Sequence, residues 1–357
     1  MAPSPFRLHS TLPTLDGIPH VPLGKYPAPV QPLDLAAVVP MFQGRAWVKR
    51  EDLAGAQAGG NKVRKLEFLL ARAREVGAGG VIMVGGIGSN HCVATAFYGP
   101  RVGLDVHLVI FPHEVTPASR RALRAICALR PKITHAPTDE VAATLAAARY
   151  AASLVAGRRL YPIWPGGSSA RGTVGFVEAG IELADQIAGG ELEAPDAIFV
   201  AYSSGGTAAG LSLGLQLAGV DTEVVAVRVY PAPLASAPVL RNLAERTHRF
   251  LASRCDDPLP AFDASRLRVR GEYLGRGYAS PTEAASAARE AAAGLGLELE
   301  PTYTGKAFAA FLDAAGSRRY RDARLLFVHT YDARLPHRFG DTDIDPELVP
   351  LRLRGYV

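Results

Sequence analysis

Six short apolar runs constrain this chain most. They are "GGVIMVGG", "DVHLVIF", "RLYPIW", "DAIFVAY", "TEVVAVRVY" and "RLLFVHT". Each ends at a glycine, a proline or a polar turn, and segments of helical pattern lie between them. Those segments are Ser89 to Tyr98, "SRRALRAICALR", "EVAATLAAARYAASLVAG", "GTVGFVEAGIELADQIAG", "GGTAAGLSLGLQLAG" and "SPTEAASAAREAAAGLG". Strands that are apolar along their whole length are buried on both faces. Alternating with helices, they predict an α/β fold with doubly wound, mostly parallel sheets. "AWVKRED" reads as a further short strand, and the proline-rich first 45 residues as an extended arm packed on the body.

Length adds a second domain: 357 residues is about two domains' worth of chain. No linker stands out, so the second domain is expected as an insertion. The expected boundaries are 1–63 and 166–357 for a large domain and 64–165 for a small inserted one. No run of about 18 apolar residues exists, and the N-terminus lacks an apolar stretch behind a basic start. Three cysteines with no CxxC fit a reducing compartment. These features predict a cytoplasmic protein without membrane attachment. The net charge of +5 comes from scattered arginines with no interleaved aromatics, so no nucleic-acid partner is expected.

Two strand–loop–helix junctions carry small residues, "VIMVGGIGSNHCVATA" and "AIFVAYSSGGTAAGLSLG". Such turns expose backbone N–H groups at a helix start and bind anions. The second has neither GxGxxG with an acidic residue ending the next strand nor a P-loop lysine. An isolated phosphate held over Ser203 to Thr207 competes there with plain helix–strand packing.

The stretch "AGGNKVRKLEFLL" places Lys62 and Lys65 behind a glycine pair, in a chain with only six lysines. On a helical wheel from Asn61, Val63, Leu66, Leu69 and Leu70 form one stripe. Lys62 then falls at the stripe's edge, toward the packed side, with Arg64 and Lys65 toward solvent or a surface partner. Burial would lower an amine's pKa and leave it nucleophilic, whereas a snorkelling lysine would stay inert. A nucleophilic lysine plus a phosphate loop suggests pyridoxal phosphate (PLP), whose aldehyde binds an amine.

Several segments then resemble, in order, the D-cysteine desulfhydrase / ACC (1-aminocyclopropane-1-carboxylate) deaminase family of fold type II PLP enzymes. They are "IPHVPLGKYPAPVQ", "KREDLAGAQAGGNKVRKLEFLL", "GGIGSNH", "YPIWPGGSSARGTVGFVEAGIEL", "SSGGTAAGL", "GYASPTEAASAAREAAAGLGLELEPTYTGKAF" and "LLFVHT". The resemblance implies a homodimer acting on a small amino acid. It implies that Lys62 holds PLP and moves the Cα proton, and that Asn90 contacts the ring hydroxyl. Ser89 and its neighbours Asn90 and His91 would bind the substrate carboxylate, and Ser89 would also act in proton transfer. Ser204, Gly205, Gly206, Thr207 and Ala208 would cradle the phosphate. Tyr278 and Tyr303 would face the substrate, and Thr304 the pyridine nitrogen, with Thr330 also at the cofactor. Cys92 reads as a small core residue and Lys306 as a structural cation.

In this resemblance ACC deaminases carry Glu and Leu where this chain has Thr304 and Thr330, whereas the desulfhydrases carry Thr at both. A neutral hydroxyl at the pyridine nitrogen leaves a weaker electron sink, sufficient when a good leaving group sits on Cβ. The expected reaction is α,β-elimination to pyruvate and ammonia. ACC deamination to 2-oxobutyrate, β-replacement synthesis and a non-catalytic PLP carrier are the alternatives. The chain departs from the family at Tyr331-Asp332, where Gly-Gly is usual, at Gly88 and at Trp164. From its place in the sequence, Asp332 is a candidate partner for the pyridine nitrogen.

Overall fold

The structure is a computed structural model that describes residues 8–12, 15, 17–57, 59–341 and 344–357. In chain order the strands are β1 (Val30–Pro32), β2 (Arg45–Lys49), β3 (Gly80–Gly86), β4 (Asp105–Phe111), β5 (Lys132–His135), β6 (Leu160–Ile163), β7 (Ala197–Tyr202), β8 (Glu223–Arg228), β9 (Leu267–Arg270) and β10 (Arg324–Val328). The helices are α1 (Leu8–Thr11), α2 (Lys62–Glu75), α3 (Asn90–Tyr98), α4 (Pro117–Ala128), α5 (Asp139–Val155), α6 (Ala170–Ala188), α7 (Gly206–Leu217), α8 (Ala237–Ala252), α9 (Glu283–Gly294), α10 (Thr304–Ala315) and α11 (Arg334–Gly340).

The chain forms two compact units. The first comprises Met1–Gly17, Lys25–Ala54 and Ser168–Tyr331, and the second Ile18–Gly24, Gly55–Gly167 and Asp332–Val357. The stretch 64–165 lies inside the second unit. The C-terminal segment belongs there too, because Leu335, Val349 and Leu353 are buried in the same core as Val63, Leu66 and Phe97.

The first unit has one six-stranded sheet in the order β1-β2-β10-β7-β8-β9. Only β1 runs antiparallel, against β2. Its strands split their side chains by parity. Phe199, Val225, Val227 and Phe327 pack with Phe308 and Phe311 of α10. Ile198, Val200, Val224, Ala226 and Leu326 pack with Phe176, Leu211 and Leu240 from α6, α7 and α8 on the other face. Burial on both faces is why these runs read as continuously apolar.

The second unit has a four-stranded, all-parallel sheet, β5-β4-β3-β6. Val81 and Met83 face α2, α3 and α4 residues, while Ile82 and Val109 face α5. In each sheet the order reverses at one strand, β3 in the second unit and β7 in the first. The crevice beyond the carboxyl end of such a strand is where α/β folds bind ligands. Both glycine loops fall there.

Candidate active site

In the second unit, β3 ends at Gly86 and α3 begins at Asn90. Ser89 caps α3, its Oγ accepting from Cys92 N at 3.2 Å. The turn is tight: a Cβ on Gly85 would stand 2.3 Å from Cys92 Sγ. Gly88 N donates to His113 Nε2 at 3.1 Å, and a Cβ on Gly88 would meet Ser119 Cβ at 3.0 Å. The imidazole of His113 and Ser119 thus occupy the room a larger residue at 88 would need. Cys92 is buried, and burial pushes its thiol up to about 12, so it carries no thiolate at neutral pH.

Lys62 is half-buried at the first position of α2. The wheel's assignment of its neighbours to solvent is corrected by the structure: Arg64 is 2% and Lys65 1% exposed. A wheel counts only the helix's own stripe, and other chain segments cover the opposite side. Val21 N donates to the Glu67 carbonyl, and Leu23 N and Gly24 N donate to Glu67 Oε1 at 2.8 Å. Lys65 Nζ donates to Gly166 O at 3.0 Å. Burial first, then the charge of Lys62, holds the Lys65 amine well below the ordinary lysine range.

His91 is buried, and neither ring nitrogen has a hydrogen-bond partner among the described residues. Burial, then the charges of Lys62 and Lys65, keep this imidazole's pKa well below its usual value. A neutral buried ring with two orphaned nitrogens wants a polar partner that the polypeptide does not supply.

In the first unit, β7 ends at Tyr202 and α7 opens at Gly206 without a side-chain cap. Gly205 has φ +90, and a Cβ there would lie 2.9 Å from Leu240 Cδ1. Only glycine gives this turn without strain. The first-turn N–H groups, including those of Thr207 and Ala208, have no carbonyl four residues back inside the helix. Ser168 was not legible as a site residue from sequence. Its Oγ accepts from Gly206 N at 3.0 Å and donates to Ser204 Oγ at 2.8 Å. The only available signal was the hydroxyl pair in "GGSSARG". A helix start with N–H and hydroxyl donors suits a phosphate.

The other candidates in the first unit gather around α10. Tyr278 and Tyr303 are half-buried and share a hydroxyl–hydroxyl hydrogen bond. Lys306 Nζ donates to Leu274 O at 2.8 Å and Gly277 O at 3.3 Å, which fixes the loop carrying Tyr278. Thr304 is 1% exposed, and its hydroxyl is engaged by a residue the sequence did not single out. Thr304 Oγ1 accepts from Glu300 N at 3.0 Å and lies 3.1 Å from Glu300 Oε1. The Glu300 carboxylate also accepts from the amides of Thr302, Tyr303 and Thr304, and burial raises its pKa. Thr330 is half-buried, two residues past the end of β10. Asp332 lies in the second unit, where its carboxylate is committed to Arg334 and to the amides of Gly59 and Gly60. These charge-assisted bonds occupy both of its oxygens.

A family model described as pyridoxal-phosphate dependent enzyme matches residues 21–330. The chain belongs to the pyridoxal-phosphate dependent enzyme family. PLP is therefore its cofactor. This PLP-dependent enzyme is 34% identical over 296 residues to a putative 1-aminocyclopropane-1-carboxylate deaminase of Pyrococcus horikoshii, covering 83% of this chain and 86% of that protein. It is also 34% identical over 309 residues to a D-cysteine desulfhydrase of Salmonella choleraesuis, covering 84% and 90%. Its fold matches the crystal structure of an ACC deaminase homologue with a TM-score of 0.78 at 30% identity, over 95% and 98% of the two chains.

Proposed function

We propose that this enzyme is a lyase that eliminates the β-substituent of a small amino acid, in the manner of D-cysteine desulfhydrase, releasing pyruvate and ammonia. The observation that carries the reading is Thr304. A neutral hydroxyl, held by Glu300, opens α10 where ring-opening chemistry would favour an ionised carboxylate. PLP supplies the electron sink when bound.

The chain's own residues do the rest. Lys62 Nζ would hold the cofactor, and its free amine would take the substrate Cα proton as general base. The loop from Ser204 to Ala208, with the Thr207 hydroxyl, takes the phosphate. Asn90 meets the ring hydroxyl. Ser89 binds the substrate carboxylate: its Oγ accepts from Cys92 N, so its O–H donor remains available. His91 joins it there, which gives its orphaned nitrogens a partner. Tyr278 and Tyr303 face the substrate and handle protons as a pair, and Thr304 and Thr330 line the cofactor. Action as a cytoplasmic homodimer belongs to the same proposal. Cys92, Cys127 and Cys255 are all free thiols, which supports a reducing compartment, and sedimentation of the purified enzyme tests the dimer.

The test is product analysis over D-cysteine, L-cysteine, β-chloroalanine and ACC. Pyruvate from D-cysteine, lost in Lys62→Ala, is the expected outcome. Turnover of ACC alone, giving 2-oxobutyrate, would instead favour the deaminase reading that the Pyrococcus relative supports equally in identity.

A further inference from the structure

A glycine pair just ahead of a reactive lysine is a poor support for it. Gly59 has φ +107 and Gly60 φ +49, and adjacent glycines leave the backbone its greatest freedom. One carboxylate restrains both. Gly59 N and Gly60 N donate to Asp332 Oδ2 at 2.7 and 3.2 Å. The carbonyls of the same two glycines accept from Lys62 N at 3.1 Å and Val63 N at 3.2 Å, the first amides of α2. The Gly59–Gly60 peptide plane is therefore held on both sides, its N–H by Asp332 and its carbonyl by the Lys62 amide that opens the helix.

Asp332 is itself held. Arg334 Nη2 donates to Oδ2 at 2.7 Å and Nε to Oδ1 at 2.9 Å, and the Arg334 backbone N donates to Oδ1 at 2.9 Å. Arg334 Nη2 also donates to Gly55 O at 2.9 Å, on the near side of the same loop. The Asp332 side chain is 4% exposed, so the carboxylate end of these charge-assisted bonds is shielded from water, while Arg334 is 40% exposed. A negative charge ahead of a helix start is also favourable to the helix.

We propose that Asp332 and Arg334 form a clamp that positions Lys62, joining the C-terminal segment to the loop that presents the reactive amine. The inference rests on the reading that Lys62 carries PLP. Both are positioning residues, acting through the backbone of Gly59 and Gly60. Displacing a reacting group by about 1 Å costs on the order of 100-fold in rate.

The test compares wild type, Asp332→Ala, Asp332→Asn and Arg334→Ala as full chains stripped of cofactor. PLP is added, and borohydride trapping at timed intervals is followed by peptide mapping, which gives the rate of attachment at Lys62. Thermal melting and the separate kcat and KM of the reloaded enzymes are measured alongside. Asp332→Ala is expected to slow attachment about tenfold or more and to lower kcat similarly, with KM within about twofold. Arg334→Ala is expected to do the same to a smaller extent. Asp332→Asn keeps an acceptor for the glycine amides and is expected to recover part of the loss. Should Asp332→Ala fail to fold, Asp332→Asn and Arg334→Ala decide. Variants that attach PLP at the wild-type rate with unchanged kcat, whatever their melting temperature, overturn the clamp. Wild-type label on a residue other than Lys62 overturns the underlying reading instead.

Discussion

At the scale of single residues, the two lysines of "NKVRK" show how far a motif can be read. The glycine pair and the resemblance pick out Lys62, but the wheel sends Lys65 to solvent when it is one of the most buried side chains present. Its partner, the carbonyl of Gly166, is distant in sequence and invisible to any local pattern. His91 gives a pH test of this buried cluster. Its folded pKa is lowered from 6.5, so the stability it contributes is fully present above pH 6.5. That contribution is lost as pH falls from there toward the lowered folded value. Urea unfolding of the wild type should therefore weaken below pH 6.5, by up to about 1.4 kcal/mol per pH unit for each such histidine. His91→Gln should flatten the slope by one proton's worth. His107, His113 and His329, also lowered chiefly by burial, will keep the remainder.

At the scale of elements, α6 and α7 touch backbone to backbone along a seam of glycines. A Cβ on Gly214 would stand 2.2 Å from Val177 O, and one on Gly210 would stand 2.5 Å from Phe176 Cβ. This seam fixes where α7 begins, and with it the loop from Ser203 to Gly205. Gly214→Ala should lower the urea midpoint by an amount equivalent to about 1–3 kcal/mol, since neither backbone can give way cheaply. Gly294→Ala meets nothing within 4 Å near the end of α9 and should be neutral or stabilising by about 0.5–1 kcal/mol. Equal effects from the two substitutions would contradict the seam. The sequence marked the central strands and most of the helices because their apolar runs are long or strongly periodic. It did not mark β1, β5 and β9, which are three or four residues long and largely half-exposed. It placed a helix start at Gly305, one residue into α10, but not the Glu300 carboxylate that collects three amides there.

At the scale of the whole molecule, each unit buries its own sheet and its own apolar clusters, and the cofactor adds a ligand term to that stability. Stripping PLP should lower the melting temperature, and restoring it at about 100 times Kd should return roughly 2.7 kcal/mol. Inorganic phosphate should return a smaller part if the loop from Ser204 to Ala208 binds the phosphate group. A melting temperature indifferent to both would argue against that loop as the cradle.

The sequence by itself determined the α/β class, the parallel sheets, the two glycine turns and the PLP family, because these are written in local periodicity and in short ordered motifs. The tertiary structure alone decided which side chains lose their water. It buried Lys65, left the His91 ring without a hydrogen-bond partner among the described residues, placed Ser168 against the start of α7, and tied Asp332 to Gly59 and Gly60 across more than 270 residues of chain. Local pattern is a one-dimensional property, whereas desolvation and hydrogen-bond partnership depend on segments that meet only after folding.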